Sequence, residues 1–216
     1  MSTTDSISQQ PPSSATPVAS ALVEFLAEAR VPTEHGNFTM KLFREKATGL
    51  EHVAMVMGDV AGSALVRVHS ECMTGDVFGS LRCDCGPQLH FAMREIGKQG
   101  SGVVVYLRQE GRGIGLANKL RAYQLQDQGL DTVEANLHLG FAADLRKFDA
   151  AVEILSNLGV KSVKLMTNNP RKVETLKSQG LQIEERVPVR SDVQSENERY
   201  LDTKARKLGH HIDLLG

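Results

Sequence analysis

The chain holds three cysteines, and all of them fall in one short window. Cys72, Cys83 and Cys85 lie in ECMTGDVFGSLRCDCGPQ, residues 71–88. Three thiolates around a loop that contains glycine and aspartate form a donor set for zinc, and the fourth coordination position then stays open for water, as in catalytic zinc sites. His69 precedes Cys72 by three residues and is a candidate fourth ligand, which would make the site structural. Buried structural thiols and a Cys-x-Cys redox pair are the alternatives.

Two strand-to-helix junctions combine glycine or a helix start with basic residues, which is the chemistry of an anion site. RQEGRGIG, residues 108–115, follows an apolar strand pattern and holds two arginines and three glycines. Glycines let the backbone approach a ligand, and a helix start presents free N–H groups to an anion. MTNNPRK, residues 166–172, is a second such junction with Thr167, Arg171 and Lys172. RQEGRGIG is neither a Walker A loop nor a clean dinucleotide fingerprint, and a plain turn is its alternative interpretation. The two junctions together favour a phosphorylated ligand.

Alternating strand and helix patterns must position these motifs. We predict strands in HVAMVMGDV, SALVRVHS, GVVVYL, SVKLM and LQIEERVPV. We predict helices in GPQLHFAMREIGKQG, GLANKLRAYQLQDQG, DLRKFDAAVEILSNLG, NPRKVETLKSQG and ENERYLDTKARKLGH, and a short helix with a turn in VASALVEFLAEARVPTEHG. The first two strands are expected to pair through a glycine-containing turn. This order predicts an α/β domain whose mixed β-sheet is flanked by helices.

Composition indicates an ordinary globular domain, with 41% hydrophobic and 24% charged residues. A formal net charge of -1 gives no bulk attraction to nucleic acid or to an anionic membrane, and we expect neither as a partner. No apolar run approaches the length of a membrane span. Residues 1–18 are rich in Ser, Thr, Pro and Gln and predict a disordered tail before a domain at residues 19–216. Because that tail has no features of a secretory signal, we expect a cytoplasmic protein.

Four stretches match one known family in order and in spacing. They are RVHSECMTGDVFGSLRCDCGPQL, YLRQEGRGIGLANKLRAYQLQDQGLDTVEAN, GFAADLRKFDAA and LMTNNPRKVETL. Over about residues 31–210 the chain resembles GTP cyclohydrolase II, the enzyme that starts riboflavin synthesis. The resemblance implies hydrolysis of GTP to formate, diphosphate and a diaminopyrimidinone that carries phosphoribosylamine. It also implies one zinc ion per chain, magnesium with the GTP phosphates and a homodimer. We expect the stand-alone form, because no segment resembles a dihydroxybutanone phosphate synthase.

The resemblance assigns roles position by position. Cys72, Cys83 and Cys85 match the zinc ligands of the family. The GTP-contacting positions are matched by Arg67, Val68, His69, Ser70, Glu71, Gln88, Glu110, Gly111, Arg112, Thr132, Thr167 and Lys172. The catalytic positions are matched by Asp144 as proton acceptor, Arg146 as nucleophile and Tyr123 near the reacting end of the base. One loop departs from the family pattern, at residues 190–197, and no predicted catalytic residue lies in it.

The assignment of Arg146 as a nucleophile conflicts with the chemistry of arginine. A nucleophilic guanidine must be nearly neutral, whereas arginine keeps its proton up to a pKa above about 12. Asp144 is two residues away, and on a regular helix residues with that spacing do not face each other. The pair therefore requires the segment AADLR to precede the helix or to form its first turn. Stabilisation of charge at the α-phosphate is the second role for Arg146, and a helix N-cap is the second role for Asp144.

Two other functions compete with the full hydrolysis. A zinc-stabilised protein that holds a nucleotide or an RNA end without turnover would also use the basic loops, with His69 closing the zinc site. Its low aromatic content, 5%, argues against base stacking on RNA. An enzyme that stops at a formylated intermediate is the other alternative, and Tyr123 argues for the complete reaction. Ordinary packing on an amphipathic helix is the second interpretation of Tyr123.

Overall fold

One mixed β-sheet organises the computed structural model, which describes residues 21–189 and 197–209. Its strands are β1 (Val23–Thr33), β2 (Gly36–Glu45), β3 (Glu51–Met57), β4 (Gly62–Ser70), β5 (Gly102–Leu107), β6 (Val160–Met166) and β7 (Gln182–Val187). The helices are α1 (Met73–Asp76), α2 (Cys85–Gln99), α3 (Gly115–Asp127), α4 (Thr132–His138), α5 (Asp149–Asn157), α6 (Pro170–Ser178) and α7 (Glu198–Leu208). The predicted α/β class with a mixed sheet is confirmed. The expected disordered tail, residues 1–18, lies outside the described residues.

The sheet joins an antiparallel half to a parallel half in the order β1-β2-β3-β5-β4-β6-β7. The pairs β1–β2, β2–β3 and β3–β5 are antiparallel. The pairs β4–β5, β4–β6 and β6–β7 are parallel. Parallel neighbours place their carboxyl ends at the same edge, where ligands bind in open α/β sheets. The loops that follow β4, β5 and β6 are therefore brought together.

Helices cover both faces of the sheet, and the central strands alternate between two apolar clusters. Val103 and Val105 of β5 pack with α5 and α6 on one face. Val104 points to the other face, where it packs with Ala92 and Ile96 of α2. Both faces are buried, which explains why GVVVYL reads as a continuous apolar run rather than an alternating one. This core holds the carboxyl edge of the parallel strands in place.

The helix predicted near the start of the chain is wrong, because residues 23–33 form strand β1. Its composition of Ala, Leu and Glu favours a helix locally. The strand pairs with β2 along its whole length through a tight turn at Gly36. The φ of Gly36 is 126°, a value that glycine adopts readily and residues with a side chain rarely adopt. Pro32 is tolerated because β1 is the edge strand of the sheet. Pairing with a later segment therefore outweighs the local helix propensity.

The predicted pairing of HVAMVMGDV with SALVRVHS is also wrong, although both segments are strands. Strand β5 lies between β3 and β4, with Val103 aligned to Val56 on one side and to Val66 on the other. Every residue of β5 except Tyr106 is buried, so the central position of this strand removes its apolar run from solvent on both faces of the sheet. A glycine turn between two strands does not reveal a third strand that comes later in the chain.

Local signals at the helix ends agree with the structure. Gly100 ends α2 in the left-handed conformation, with a φ of 78°. Asn169 caps α6 and Pro170 occupies its first turn. Asp131 and Glu134 form a capping box on α4, a helix that the sequence patterns did not predict.

Within the described residues, no helix combines the length and the apolar character needed to cross a membrane.

Candidate active site

A cleft opens at the carboxyl ends of the parallel strands and holds about 1000 Å³, including its mouth to solvent. Strand β4 leads into the cysteine window, β5 into RQEGRGIG and β6 into MTNNPRK. Residues of all three motifs line the cleft, among them Cys72, Arg112 and Lys172. The fold therefore brings together the three stretches that the sequence singled out for chemistry.

The three cysteine sulfurs form a compact cluster in this cleft. Cys72 precedes α1, Cys83 lies in the following turn and Cys85 begins α2. Their sulfurs all lie within 4.8 Å of one another, and the Sγ atoms of Cys72 and Cys83 are 3.7 Å apart. Tetrahedral zinc with Zn–S distances of about 2.3 Å separates its sulfurs by about 3.8 Å. The spacing between Cys72 and Cys83 therefore fits zinc ligation.

Gly75 leaves the space in which the sulfurs meet. A Cβ atom at this position would lie 2.7 Å from the Sγ of Cys83 and 3.3 Å from the Sγ of Cys72. It would also lie 3.1 Å from the Cβ of Cys85. Any side chain here would push the cysteines apart. Gly75 therefore allows close packing around the sulfur cluster rather than a turn.

Charge is unevenly divided among the three thiols. Hydrogen bonds from Cys83 and Cys85 lower the pKa of Cys72, and the Lys119 ammonium adds to this effect. The hydrogen bond with Cys72 raises the pKa of Cys83 to about 11, and contact with Cys72 also raises the pKa of Cys85. A dication at the centre would offset the repulsion between thiolates. The donor set therefore fits a zinc ion in its electrostatics as well as in its spacing.

Lys119 links the cysteine window to the loop after β5. Its Nζ donates to the Sγ of Cys72 at 3.1 Å and to Oε1 of Glu110 at 2.8 Å. The other carboxylate oxygen of Glu110 accepts from the backbone N–H of Met73 at 2.6 Å. Burial alone would lower the pKa of Lys119, but Cys72 and Glu110 outweigh it and raise the pKa. Lys119 therefore remains an ammonium that orients Cys72.

His69 does not join the sulfur cluster. Its Nε2 contacts the carboxylate of Asp76 at 3.1 Å, and that carboxylate also accepts from the Tyr106 hydroxyl and the Cys72 backbone N–H. Burial lowers the pKa of His69, and Asp76 only partly opposes this. Because a carboxylate only accepts, Nε2 carries the proton, and Nδ1 has a lone pair without a partner among the described residues. The expected closure of the zinc site by His69 is not supported by this geometry.

Buried cations form a second group in the cleft. Lys172 donates from Nζ to the carbonyl of Val68 at 2.8 Å. Arg67 donates to the carbonyl of Met166 at 2.9 Å and to Oε1 of Gln88 at 2.6 Å. Burial and then the neighbouring charges of Arg67 and Arg146 hold the pKa of Lys172 well below its usual range. Burial likewise lowers the pKa of Arg67 to about 10. Such crowding of positive charge is typical of a site that binds a polyanion.

Asp144 and Arg146 pair directly, in the segment before α5. Arg146 donates from Nε to Oδ1 of Asp144 at 2.9 Å and from a terminal nitrogen to Oδ2 at 2.7 Å. Burial raises the pKa of Asp144, but the hydrogen bonds and charge of Arg146 outweigh it and lower the pKa. The requirement that AADLR precede the helix is met, because α5 begins at Asp149. Asp144 is not its N-cap, which is Phe148.

Two further residues are fixed by local geometry. Arg112 has a φ of 62°, a strained conformation for a residue with a side chain, directly after Gly111 in the same conformation. This turn aims the backbone of the RQEGRGIG loop into the cleft. Tyr123 lies on α3, and its hydroxyl is 3.4 Å from the Oγ1 of Thr74, which is 3.7 Å from the Sγ of Cys72. The Tyr123 hydroxyl therefore lies beside the sulfur cluster.

Comparison with known proteins agrees with these motifs. A family model described as GTP cyclohydrolase II matches residues 24–188. The chain is 53% identical over 195 residues to GTP cyclohydrolase-2 of Haemophilus influenzae (strain PittGG), covering 89% of this chain and 90% of that protein. It is 56% identical over 193 residues to GTP cyclohydrolase-2 of Neisseria gonorrhoeae (strain ATCC 700825 / FA 1090), covering 88% and 98%.

The chain belongs to the GTP cyclohydrolase II family.

It is an enzyme of this family, and the resemblance that the sequence motifs indicated is confirmed. The chain is also 56% identical over 192 residues to riboflavin biosynthesis protein RibBA of Bacillus subtilis (strain 168). That match covers 88% of this chain and 48% of the Bacillus protein, so this chain spans about half of that relative.

The GTP cyclohydrolase II motifs converge on the cleft. All but two of the residues that match family positions line it: Arg67, His69, Ser70, Glu71, Cys72, Cys83, Cys85, Gln88, Glu110, Gly111, Arg112, Tyr123, Thr132, Arg146, Thr167 and Lys172. Val68 points into the core and reaches the site only through its carbonyl, which accepts from Lys172. Asp144 lies behind Arg146 and holds it.

Sequence reasoning gave no role to several residues that this family member places in or behind the cleft. Asp76 holds His69, and Lys119 holds Cys72. Asp84 is fully buried between Cys83 and Cys85 and pairs with Lys204 of α7. In the sequence, the position of Asp84 between two cysteines was the feature that could have identified it as a residue of the site. For Lys204 the local pattern YLDTK predicted only a helix.

Proposed function

We propose that this enzyme hydrolyses GTP to formate, diphosphate and 2,5-diamino-6-(5-phosphoribosylamino)pyrimidin-4-one, as the first step of riboflavin biosynthesis. The observation that carries the proposal is the presence of a three-sulfur cluster and a group of buried cations in one cleft. The first suits activation of water against the base, and the second suits the triphosphate. Family membership supports the pairing of these two chemistries on one substrate.

Cys72, Cys83 and Cys85 would hold one zinc ion and leave one coordination position open. When bound, zinc would supply a Lewis acid that activates water for addition at C8 of guanine. Lys119 would hold Cys72 in place through its 3.1 Å contact. Tyr123, whose hydroxyl lies beside the cluster, would orient the opened ring by a hydrogen bond.

The buried cations would bind the phosphates and stabilise charge at the α-phosphorus. Arg146 would act there as a fixed cation, because its two hydrogen bonds to the Asp144 carboxylate favour the charged guanidinium over a neutral nucleophile. Lys172 and Arg112 would complete this group, since both line the same cleft. Magnesium would bind with the triphosphate, as the resemblance implies, because Mg2+ in such sites is held mainly by substrate phosphates and water.

The products of GTP turnover test the proposal. Zinc-loaded protein is incubated with GTP and magnesium, and nucleotide products and formate are followed together by mass spectrometry. Formate with the deformylated diaminopyrimidinone monophosphate is the expected result. A formylated product without formate would instead indicate an enzyme that stops after ring opening. Intact GTP, with one zinc bound per chain, would replace the enzyme reading with that of a nucleotide-binding protein.

GTP binding is expected to take up a proton through Lys172. Burial, together with the charges of Arg67 and Arg146, lowers the pKa of Lys172 in the free protein, and bound phosphate would raise it again. Between the lowered pKa of the free protein and the raised pKa of the complex, binding therefore draws up to about one proton from solvent, and affinity falls as the pH rises. Calorimetry in two buffers with different ionisation enthalpies measures this proton.

Lys172→Met provides the control for this measurement, because it removes the titrating group. It is expected to bind a non-hydrolysable GTP analogue weakly and without the buffer-dependent part of the enthalpy that Lys172 contributes. Wild-type enthalpies that are the same in both buffers across the alkaline range would contradict the assignment.

We also propose that the enzyme is a homodimer, as the resemblance implies. An exposed apolar segment between Cys72 and Cys83 supports a second copy as its cover: Val77 is 68% exposed and Phe78 is 75% exposed. Sedimentation equilibrium at micromolar concentration is expected to give twice the chain mass of 23.6 kDa. A concentration-independent monomer would rule the dimer out.

A further inference from the structure

The C-terminal helix α7 reaches the candidate active site through a buried ion pair. The ammonium of Lys204 donates to Oδ1 of Asp84, and both residues are buried in the folded chain. They are 120 residues apart in the sequence. Lys204 also lines the cleft, together with Arg67 and Gln88. Helix α7 therefore contributes a charged group to a site whose other residues precede it in the chain.

Asp84 passes this contact on to two residues that match GTP-contacting positions. Its second oxygen, Oδ2, accepts from Nε2 of Gln88 at 2.5 Å. The other end of the same amide, Oε1 of Gln88, accepts from Arg67 at 2.6 Å. Arg67 in turn donates to the carbonyl of Met166 at the end of β6. Lys204, Asp84, Gln88 and Arg67 thus form a continuous hydrogen-bonded chain along the cleft wall.

Lys204 supplies the counter-charge of Asp84, which leaves the positive charge of Arg67 to the cleft. Without Lys204, the buried negative charge of Asp84 would act against the phosphates that the neighbouring cations attract, and it would compete with them for Arg67. With Lys204 in place, the amide oxygen of Gln88 is available to orient Arg67. The side chain of Gln88 can serve both neighbours because it carries a donor and an acceptor.

Lys207 of α7 forms ion pairs at the surface. Lys207, one turn after Lys204, pairs with Asp131 and Glu134, which cap α4. Leu201, one turn before Lys204, is fully buried. Apolar packing at Leu201 holds the helix, and an exposed pair such as that of Lys207 adds little to stability. The two lysines therefore offer a matched comparison on the same helix.

We propose that Lys204 is a positioning residue for GTP: through Asp84 it holds Gln88 and Arg67 in the orientation that binds the substrate. The inference rests on the proposed function, since it assumes that GTP occupies this cleft. Under this proposal, the C-terminal helix takes part in substrate binding, although it lies outside the three motifs at the carboxyl edge of the sheet. Misplacement of binding groups by about 1 Å can lower kcat/KM by about 100-fold.

Binding of a non-hydrolysable GTP analogue and steady-state turnover are measured on the zinc-loaded full chain. Lys204→Met is expected to weaken binding of the analogue and to raise KM for GTP, with a loss in kcat/KM of about 100-fold. Lys204→Arg keeps the charge and is expected to restore most of the affinity. Lys207→Met is expected to stay within about twofold of wild type, as exposed pairs do. Zinc content and thermal unfolding are recorded for each variant.

The double variant Asp84→Asn with Lys204→Met separates positioning from a merely structural contact. Asparagine keeps an acceptor for Gln88 but removes the charge that Lys204 neutralises, so the loss caused by Lys204→Met is expected to shrink in this background. Equal losses in both backgrounds, or analogue affinity unchanged in Lys204→Met, would overturn the proposal. If the wild type binds no analogue and makes no formate, the proposed function itself fails, and this inference fails with it. Wild-type turnover with an unaffected Lys204→Met variant removes only the inference.

Discussion

Replacing Arg146 by lysine is expected to lower kcat/KM for GTP by about 100- to 1000-fold, the cost of removing one well-placed donor from a developing charge. Arg146 is held at two nitrogens by Asp144, at 2.9 and 2.7 Å. Lysine keeps the charge but cannot form this bidentate pair, so its ammonium would not be held in the same position. Single-turnover release of diphosphate and of formate, measured together, checks the prediction. Both are expected to fall.

Arg171→Lys is the matched control for this substitution. Arg171 also contacts Asp144, with 3.3 Å from its guanidinium to Oδ2, but its side chain is half exposed. Because lysine keeps the charge and the Arg171 side chain is half exposed, this variant is expected to keep turnover within about twofold of wild type. Turnover like that of wild type in Arg146→Lys itself would remove Arg146 from the mechanism in either of its two roles.

Replacing Cys85 by serine is expected to abolish zinc binding and formate release while the triphosphate is still cleaved. Three sulfurs converge on one point, and loss of one is expected to weaken zinc binding by more than about 100-fold, since even residues behind the ligands cost 10- to 100-fold. Arg146 and Lys172 remain in place, so diphosphate release is expected to continue. Metal analysis of the purified variant, with formate and diphosphate measured on the same sample, checks this.

Zinc-free wild type is the control for the cysteine variant. Treatment with a chelator is expected to give the same loss of formate release, and added zinc is expected to restore it only in the wild type. Retention of formate release by Cys85→Ser, or by the metal-free wild type, would contradict the role of the sulfur cluster. Loss of both formate and diphosphate would show instead that the cysteine window is needed to hold GTP.

Local patterns identified the strands in the buried centre of this fold correctly but predicted a helix where the edge strand β1 lies. GVVVYL and SVKLM are short apolar runs, and burial on both faces of the sheet dictates that pattern, so both are strands as predicted. Strand β1 is largely exposed and carries helix-favouring residues, so nothing in its own sequence indicates the pairing with β2. The position of β5 between β3 and β4 likewise depends on segments that are distant along the chain.

The same division holds for the site. By itself, the sequence determined that three thiols share one window, that two basic junctions follow strands and that the motifs belong to GTP cyclohydrolase II. It could not show that His69 turns to Asp76, since the geometry of β4 and α1 decides that contact. Only the tertiary structure placed Lys204 beside Asp84, because a contact across 120 residues leaves no periodic trace in either segment. Residue types and their spacing indicate the local chemistry, whereas the packing of the elements determines which partners the buried charges have.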